Sequence, residues 1–150
     1  MDLSVFSERL SELIFDSKKV ARDVTKDIGI GKTTIYEYLS GNKMPSLQNL
    51  IKIADYFNCS TDYILGLENE IYDTTFNECK SFHERFDEVL KAYGVTRYKL
   101  EKQTGIAESA LYYWAKGKKL PTVESLITVC KTLDCRFDYL IGRTRTNEQI

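Results

Sequence analysis

Four residues with suggestive spacing, Gly29, Gly31, Lys32 and Thr33, look like the end of a phosphate-binding loop. Such a loop also needs a glycine five residues before Gly31 and a strand leading into it. The chain has Lys26 at that position, and the pattern before it is helical. The spacing therefore argues against a nucleoside triphosphatase and leaves Lys32 and Thr33 available for another role.

Four cysteines and one histidine, His83, are the other residues that could bind a metal or act as nucleophiles. No two cysteines form a C-x-x-C pair, whereas zinc needs clustered thiolate or imidazole ligands. No nucleophile lies in a pattern with a base. We therefore expect no metal, no cofactor and no enzyme, with His83 at the surface. The cysteines expected as small buried hydrophobes are Cys59, Cys130 and Cys135, and Cys79 is expected to be an exposed thiol.

The chain repeats itself without a gap at an offset of 76 residues. Seventeen positions between residues 6 and 67 have the identical residue in the second copy, and the chain's two prolines, Pro45 and Pro121, are equivalent. A repeat of this length predicts two similar domains, each near the lower size limit for a hydrophobic core. The predicted segments are domain one at 1–67, a polar connector at 68–80, domain two at 81–143 and a tail at 144–150.

The charge is unevenly divided, although the whole chain has a net charge of only −1. Domain one has a net charge of −1, with 8 basic and 9 acidic residues, and the connector has −3, with 1 and 4. Domain two has +3, with 11 and 8. The chain has no apolar run of about 18 residues and no signal-peptide pattern at its start, so we expect a cytoplasmic protein that does not enter a membrane.

Apolar residues recur at helical spacing, as Leu47, Leu50, Ile51 and Ala54 do and as Phe6, Leu10 and Leu13 do. Gly29 and Gly41 follow short helical stretches and are suited to ending them, and the same holds for Gly105 and Gly117. Pro45 and Pro121 bar continuation, so Ser46 and Thr122 are expected to cap the next helix. The prediction is an all-α chain with helices at 3–15, 19–27, 31–39, 46–57 and 60–65, and again 76 residues later.

These signals resemble the Cro/C1-type, XRE-like helix-turn-helix family. Both repeats have a glycine turn between the second and third helices, a glycine after the third, a proline before the fourth and a closing Asp-Tyr-x-x-Gly. The resemblance implies two tandem five-helix, lambda-repressor-like domains. The helix-turn-helix motif consists of the second and third helices of each domain. The second helix of the motif, which is the third of the domain, lies in the major groove of double-stranded DNA. The stretches that carry the resemblance are 29–45, 60–66, 96–121 and 136–142.

The resemblance also implies which side chains face DNA. Lys32 could donate a hydrogen bond to guanine or to a phosphate. Glu108 could accept a hydrogen bond from a cytosine amino group, but its charge repels phosphates. Repeat one has Val20 where the family usually caps its second helix, and Ala21 where a glutamine often contacts the backbone. The predicted DNA-facing set is Lys32, Thr33, Thr34, Tyr36, Glu37, Asn42 and Lys43, with Arg97, Glu108, Ser109, Tyr112, Tyr113, Lys116, Lys118 and Lys119.

The function implied is sequence-specific, repressor-like transcription regulation in a bacterium or phage. The near-neutral charge and the aromatic run Tyr112-Tyr113-Trp114 leave a second interpretation open, a protein-interaction module or an antitoxin-like or phage-immunity factor on the same scaffold. Binding of DNA by one domain or by both also stays open. A homodimer with four motifs is a further alternative, since the two repeats differ and a dimer would restore symmetry.

Overall fold

The computed structural model describes residues 3–70 and 75–145, and every regular element in those two ranges is a helix. The chain divides into two compact units, 1–74 and 75–150. The all-α prediction is therefore confirmed. The finer limits of the connector at 68–80 remain a proposal, and most of the tail at 144–150 lies outside the described residues.

The first unit has five helices that begin and end within two residues of the predicted bounds. Helix α1 packs on α3 and α5, and α2 packs on α3 and α4. The two short helices of the motif, α2 and α3, are therefore each supported by one of the longer helices, α4 and α1. Their bounds are α1 Leu3–Asp16, α2 Ala21–Ile28, α3 Lys32–Leu39, α4 Leu47–Tyr56 and α5 Thr61–Ile64.

The second unit repeats this order, with one difference at its start. Its first helix begins at Phe82, three residues later than the offset of 76 predicts, and Ser81 precedes it in extended backbone. The backbone N–H of Asn77 donates to the carbonyl of Arg143 at 2.8 Å, so part of the predicted connector packs on this unit. The helices are α6 Phe82–Tyr93, α7 Arg97–Thr104, α8 Glu108–Ala115, α9 Val123–Leu133 and α10 Phe137–Ile141.

The core of each unit is built from one apolar face per helix. Phe6 and Leu10 are fully buried, as expected, but Leu13 is only half-buried and Ile14 is buried instead. Ile14 follows Leu10 by four residues, so the buried stripe advances by i+4 where the sequence pattern suggested i+3. Ile51 is likewise half-buried, while Leu47, Leu50 and Ala54 are buried. The equivalent stripe of the second unit is buried throughout, at Val123, Leu126, Ile127 and Cys130.

The cysteines follow the expectation only in part. Cys59 is buried, as is Cys130, which confirms the prediction for those two. Cys135 is half-buried because it lies in the short turn between α9 and α10, where only one side of the chain faces the core. Cys79 was expected to be exposed but is half-buried, since the segment that contains it packs on the second unit.

The helix starts show how the sequence directs the fold. Ser46 and Thr122 accept a hydrogen bond from the backbone N–H three residues later, at 3.1 and 3.2 Å, so both predicted caps are confirmed. Thr96 caps α7 through the N–H of Lys99 at 3.1 Å. Val20, the equivalent residue before α2, has no side-chain oxygen and makes no cap hydrogen bond. The N–H of Asp23, which such a cap would bind, instead donates to the carbonyl of Val20 at 3.0 Å, so the first unit lacks the side-chain cap that the second unit has.

A polar cluster next to that uncapped start links α2 to α4. Lys19 Nζ lies 2.9 Å from Asp27 Oδ2, and the Tyr56 hydroxyl donates to the same oxygen at 2.8 Å. These two hydrogen bonds hold the pKa of the Asp27 carboxyl below its usual range. The equivalent positions of the second unit are Val95, Gln103 and Thr132, which cannot form such a cluster.

Exchanging the caps should shift stability in opposite directions. We expect Val20→Thr to stabilise the first unit and Thr96→Val to destabilise the second, each by about 1 kcal/mol, because Val20 already has the extended backbone of a cap residue. Thermal denaturation followed by circular dichroism measures the first change. The fluorescence of Trp114, the single tryptophan, measures the second. Equal transitions for both variants and the parent protein would contradict the capping argument.

Candidate nucleic-acid interface

The helix-turn-helix corner of each unit depends on one glycine. Gly29 follows α2 with φ +79°, and Gly105 follows α7 with φ +75°. A Cβ added at either position would meet nothing within 4 Å, so space does not require glycine there. The left-handed backbone does, because other L-residues adopt it at a cost of roughly 1–2 kcal/mol. After this turn, α3 packs on α2 in the first unit and α8 packs on α7 in the second.

Helix α3 presents one face to the core and the other to solvent. Ile35 and Tyr38 are buried, and the ring of Tyr38 contacts that of Phe6 edge-on at a centroid distance of 5.7 Å. Lys32 and Thr33, at the start of the helix, are exposed on the opposite side. The side chains that begin the predicted DNA-contacting helix are therefore available to a ligand.

The charged residues of that surface differ in their partners. Lys43 Nζ lies 3.7 Å from Glu37 Oε2, so this pair is partly neutralised. Lys32 Nζ lies 5.7 Å from the centre of the Tyr36 ring and has no carboxylate partner in the described ranges. Lys32 is thus an unbalanced cation at the first position of α3.

Helix α8 has the same two faces. Leu111 and Trp114 are buried, and Trp114 makes edge contacts with Phe82 and Phe86 at centroid distances of 6.3 and 5.8 Å. Because Trp114 is in the core, the aromatic run at 112–114 exposes only its two tyrosines. This weakens the argument that the whole run is a protein-binding surface.

Cations flank both exposed tyrosines. Lys116 Nζ lies 5.7 Å from the ring centre of Tyr112, and Lys119 Nζ lies 5.3 Å from that of Tyr113. The loop that contains these lysines returns to α8, since the N–H of Lys118 donates to the carbonyl of Tyr113 at 2.9 Å. The basic loop is therefore held beside the exposed face of α8.

His83 lies behind this loop. It is half-exposed, as predicted for a surface or edge residue, and a Cβ on Gly117 would come within 3.0 Å of its Nδ1 atom. Gly117 is also left-handed, with φ +71°. The left-handed backbone therefore favours glycine at the centre of the basic loop, and a larger residue there would also have to displace the His83 ring slightly.

Arg97, whose contact with the DNA backbone stays a prediction, lies beside an acidic residue of its own unit. It is the first residue of α7, and its NH1 atom lies 3.9 Å from Oε1 of Glu108, the first residue of α8. Its guanidinium carbon also lies 5.3 Å from the centre of the Tyr112 ring. Sequence reasoning missed this contact, although the opposite charges at the two helix starts are visible once the repeats are aligned.

None of the fifteen predicted DNA-facing residues is buried. Their contact with DNA stays a prediction. Two exposed apolar side chains nearby were missed, Tyr98 on α7 and Leu120 after the basic loop, which are 67% and 51% exposed. The half-exposed members are Thr34, Glu37 and Arg97, and the exposed ones are Lys32, Thr33, Tyr36, Asn42, Lys43, Glu108, Ser109, Tyr112, Tyr113, Lys116, Lys118 and Lys119.

Two curated relatives share part of the sequence. The chain is 36% identical over 59 residues to the cryptic phage CTXphi transcriptional repressor RstR of Vibrio cholerae. This match covers 39% of the chain and 53% of the relative. It is 32% identical over 66 residues to YobD, an uncharacterized HTH-type transcriptional regulator of Bacillus subtilis, covering 44% and 59%. The chain thus spans little more than half the length of these relatives. No solved structure matches significantly.

In the described part of the chain, no helix is both long and apolar enough to span a membrane.

Family models match both units. A helix-turn-helix model matches residues 21–64, and a model described as the Cro/C1-type HTH DNA-binding domain matches residues 85–144. The matches coincide with the α2–α5 region of the first unit and nearly all of the second. The chain therefore carries two tandem XRE-like helix-turn-helix domains, which confirms the family that the sequence signals suggested.

Proposed function

We propose that this chain is a sequence-specific transcriptional regulator that acts as a repressor by binding double-stranded DNA through both units. The observation that carries the proposal is the pair of exposed helix faces on α3 and α8, each beginning after a glycine turn, with the basic loop following α8. The two relatives, one named as a transcriptional repressor and the other as a transcriptional regulator, support the same function.

The two units are suited to different parts of this task. The first has the unbalanced cation Lys32 at the position where α3 would meet base edges, so it is proposed as the stronger source of sequence specificity. The second has the net charge of +3 and the loop lysines Lys116, Lys118 and Lys119, which suit phosphate contacts. The proposed ligand is duplex DNA, and the proposed location is the cytoplasm of a bacterium.

Assembly follows from the inequality of the units. Because their exposed faces differ, one chain would favour an asymmetric pair of half-sites, spaced by about 34 Å if they lie one helical turn apart. A homodimer with four motifs would bind a palindromic site, and we propose it as the alternative arrangement. Sedimentation of the chain with and without a selected site measures which stoichiometry binds.

A second candidate function is favoured by the surface of the first unit. Phe15 at the end of α1 is 82% exposed and Val20 is 58% exposed, which is unusual for apolar side chains of this size. The equivalent residues of the second unit are Lys91 and Thr96. This surface is the observation behind a protein-interaction role, including an antitoxin-like or phage-immunity role. We do not propose an enzymatic activity for either function.

The decisive experiment measures binding of the whole chain to random-sequence duplex DNA as the salt concentration changes. A DNA-binding protein should lose affinity steeply as salt rises, because bound lysines and arginines release counterions. Absence of binding at low salt would reject the regulator and favour the protein-interaction role. Selection from randomised duplexes would then supply the site, and Lys32→Ala should weaken binding to that site more than binding to random DNA.

A further inference from the structure

The pair formed by Arg97 and Glu108 connects the first residues of α7 and α8. Arg97 NH1 and Glu108 Oε1 are 3.9 Å apart, and the guanidinium also lies 5.3 Å from the centre of the Tyr112 ring. Arg97 thus reaches from the supporting helix to two side chains on the exposed face of α8. Its NH1 atom is shielded from solvent and has no hydrogen-bond acceptor within the described residues.

The first unit has a different arrangement at the same positions. Ala21 stands at the position of Arg97, and Lys32 stands at the position of Glu108. Tyr36 is the equivalent of Tyr112, so the aromatic residue is kept while both charges change. An acid at the start of the DNA-facing helix therefore occurs in the unit that also has an arginine beside it, and a lone cation occurs where that arginine is missing.

We propose that Arg97 is a positioning residue that determines base specificity in the second unit by orienting and balancing the carboxylate of Glu108. This inference rests on the proposed DNA-binding function and deepens it. A carboxylate accepts a hydrogen bond from the amino group of cytosine, whereas an ammonium group such as that of Lys32 donates to guanine. The second unit thus prefers a C·G pair at the position that α8 presents to Glu108.

The physical reason lies in the cost of an acid close to phosphates. The phosphates of the DNA backbone would repel the carboxylate of Glu108 if no cation lay next to it. The positive charge of Arg97, which lies beside Glu108 in the folded protein, reduces that repulsion. At 3.9 Å the two groups form an ion pair but not a hydrogen bond, so a small approach on binding would satisfy the NH1 donor. The face of Tyr112 restricts the guanidinium on another side through a cation–π contact.

The pair contributes little to folding, which makes its effect on binding separable. The side chains of Arg97 and Glu108 are 36% and 52% exposed, and an exposed ion pair adds little stability. Replacing either residue should therefore leave the unfolding transition of the second unit, reported by Trp114, nearly unchanged. Changes in base preference would then not be a consequence of misfolding.

The test compares base preferences of the full-length protein and its variants by selection from randomised duplexes. Glu108→Gln should reduce the preference for cytosine at this position about ten-fold. It should also create a preference for adenine, the base to which a glutamine side chain hydrogen-bonds. Arg97→Ala should reduce the cytosine preference at the same position. The double variant should be no less selective than Glu108→Gln alone, because Arg97 acts on specificity only through Glu108.

A different result for Arg97→Ala would overturn the proposal. If the cytosine preference stays intact while affinity falls equally for every sequence and the salt slope decreases by about 1, then Arg97 is a phosphate ligand. Absence of DNA binding by the unaltered protein would instead reject the proposed function, so the two failures are distinguishable.

Transplanting the pair supplies a second test in the first unit. Lys32→Glu alone should weaken DNA binding, because it introduces an unbalanced acid beside Tyr36. Adding Ala21→Arg should recover at least about five-fold of that loss and move the base preference towards cytosine. If Ala21→Arg improves binding equally with and without the Lys32→Glu substitution, it acts only as an extra phosphate contact and the proposal is wrong.

Discussion

Replacing Arg143 with leucine, the residue at the equivalent position of the first unit, should destabilise the second unit by about 3–5 kcal/mol. Arg143 NH1 lies 2.7 Å from Asp138 Oδ1, and both side chains are fully buried. The substitution would break this buried ion pair by removing one partner from it, which is costly in a protein core. A unit of about 65 residues has little stability to spare, so a large part of the population should unfold.

The same arginine also holds the chain that precedes α6. Its guanidinium carbon lies 4.1 Å from the centre of the Phe76 ring, and its carbonyl accepts the N–H of Asn77 at 2.8 Å. Loss of the guanidinium removes the cation–π contact as well as the ion pair. We therefore expect proteolysis near residues 75–80 to become faster in the variant, at protease concentrations that leave the parent protein intact.

Denaturation in urea, followed through Trp114, measures the effect on the second unit alone because the chain has a single tryptophan. Arg145→Ala is the matched control, since Arg145 has the same charge and is exposed two residues away. It should change the free energy of unfolding by less than about 0.5 kcal/mol. A loss below about 1 kcal/mol for the Arg143 variant would show that the buried pair is not what stabilises this end of the unit.

Arg143 also illustrates what the sequence could not predict. The repeat and the helical spacing predict where the helices lie, because those signals are local and occur twice. Arg143 contacts Phe76, which is far away in the chain, and Leu67 occupies the position of Arg143 in the other copy. Alignment of the repeats therefore hides this contact, and a polar composition alone assigned Phe76 to the connector.

The DNA-facing surface shows the same division between local and tertiary signals. The exposure of Lys32 and Thr33 and the burial of Ile35 follow from helical periodicity, so the faces of α3 were predictable. The direction of Arg97 was not, since its position at the start of α7 fits either a phosphate or Glu108. Packing of α7 on α8 adds the contact with Glu108 in the folded protein, and the phosphate contact stays a prediction.

Replacing Lys118 and Lys119 together with alanine should weaken binding to every duplex and flatten its salt dependence. Both side chains are exposed in the basic loop, and backbone N–H groups of the loop bond to the carbonyl of Tyr113. The loop is therefore already ordered, and its lysines can meet phosphates without a large loss of backbone entropy. Each lost phosphate contact should lower the magnitude of the salt slope by about 0.9.

For two contacts the slope should fall by about 1.8, which corresponds to a loss of affinity of roughly 10- to 100-fold in about 0.1 M salt. The matched control is Lys80→Ala with Lys131→Ala, which removes the same charge from the second unit at exposed positions before α6 and on α9. If the control lowers the slope as much as the loop variant does, net charge alone governs binding. If only the loop variant does so, and random and selected duplexes lose affinity alike, then the loop supplies the phosphate contacts while α3 and α8 supply the specificity.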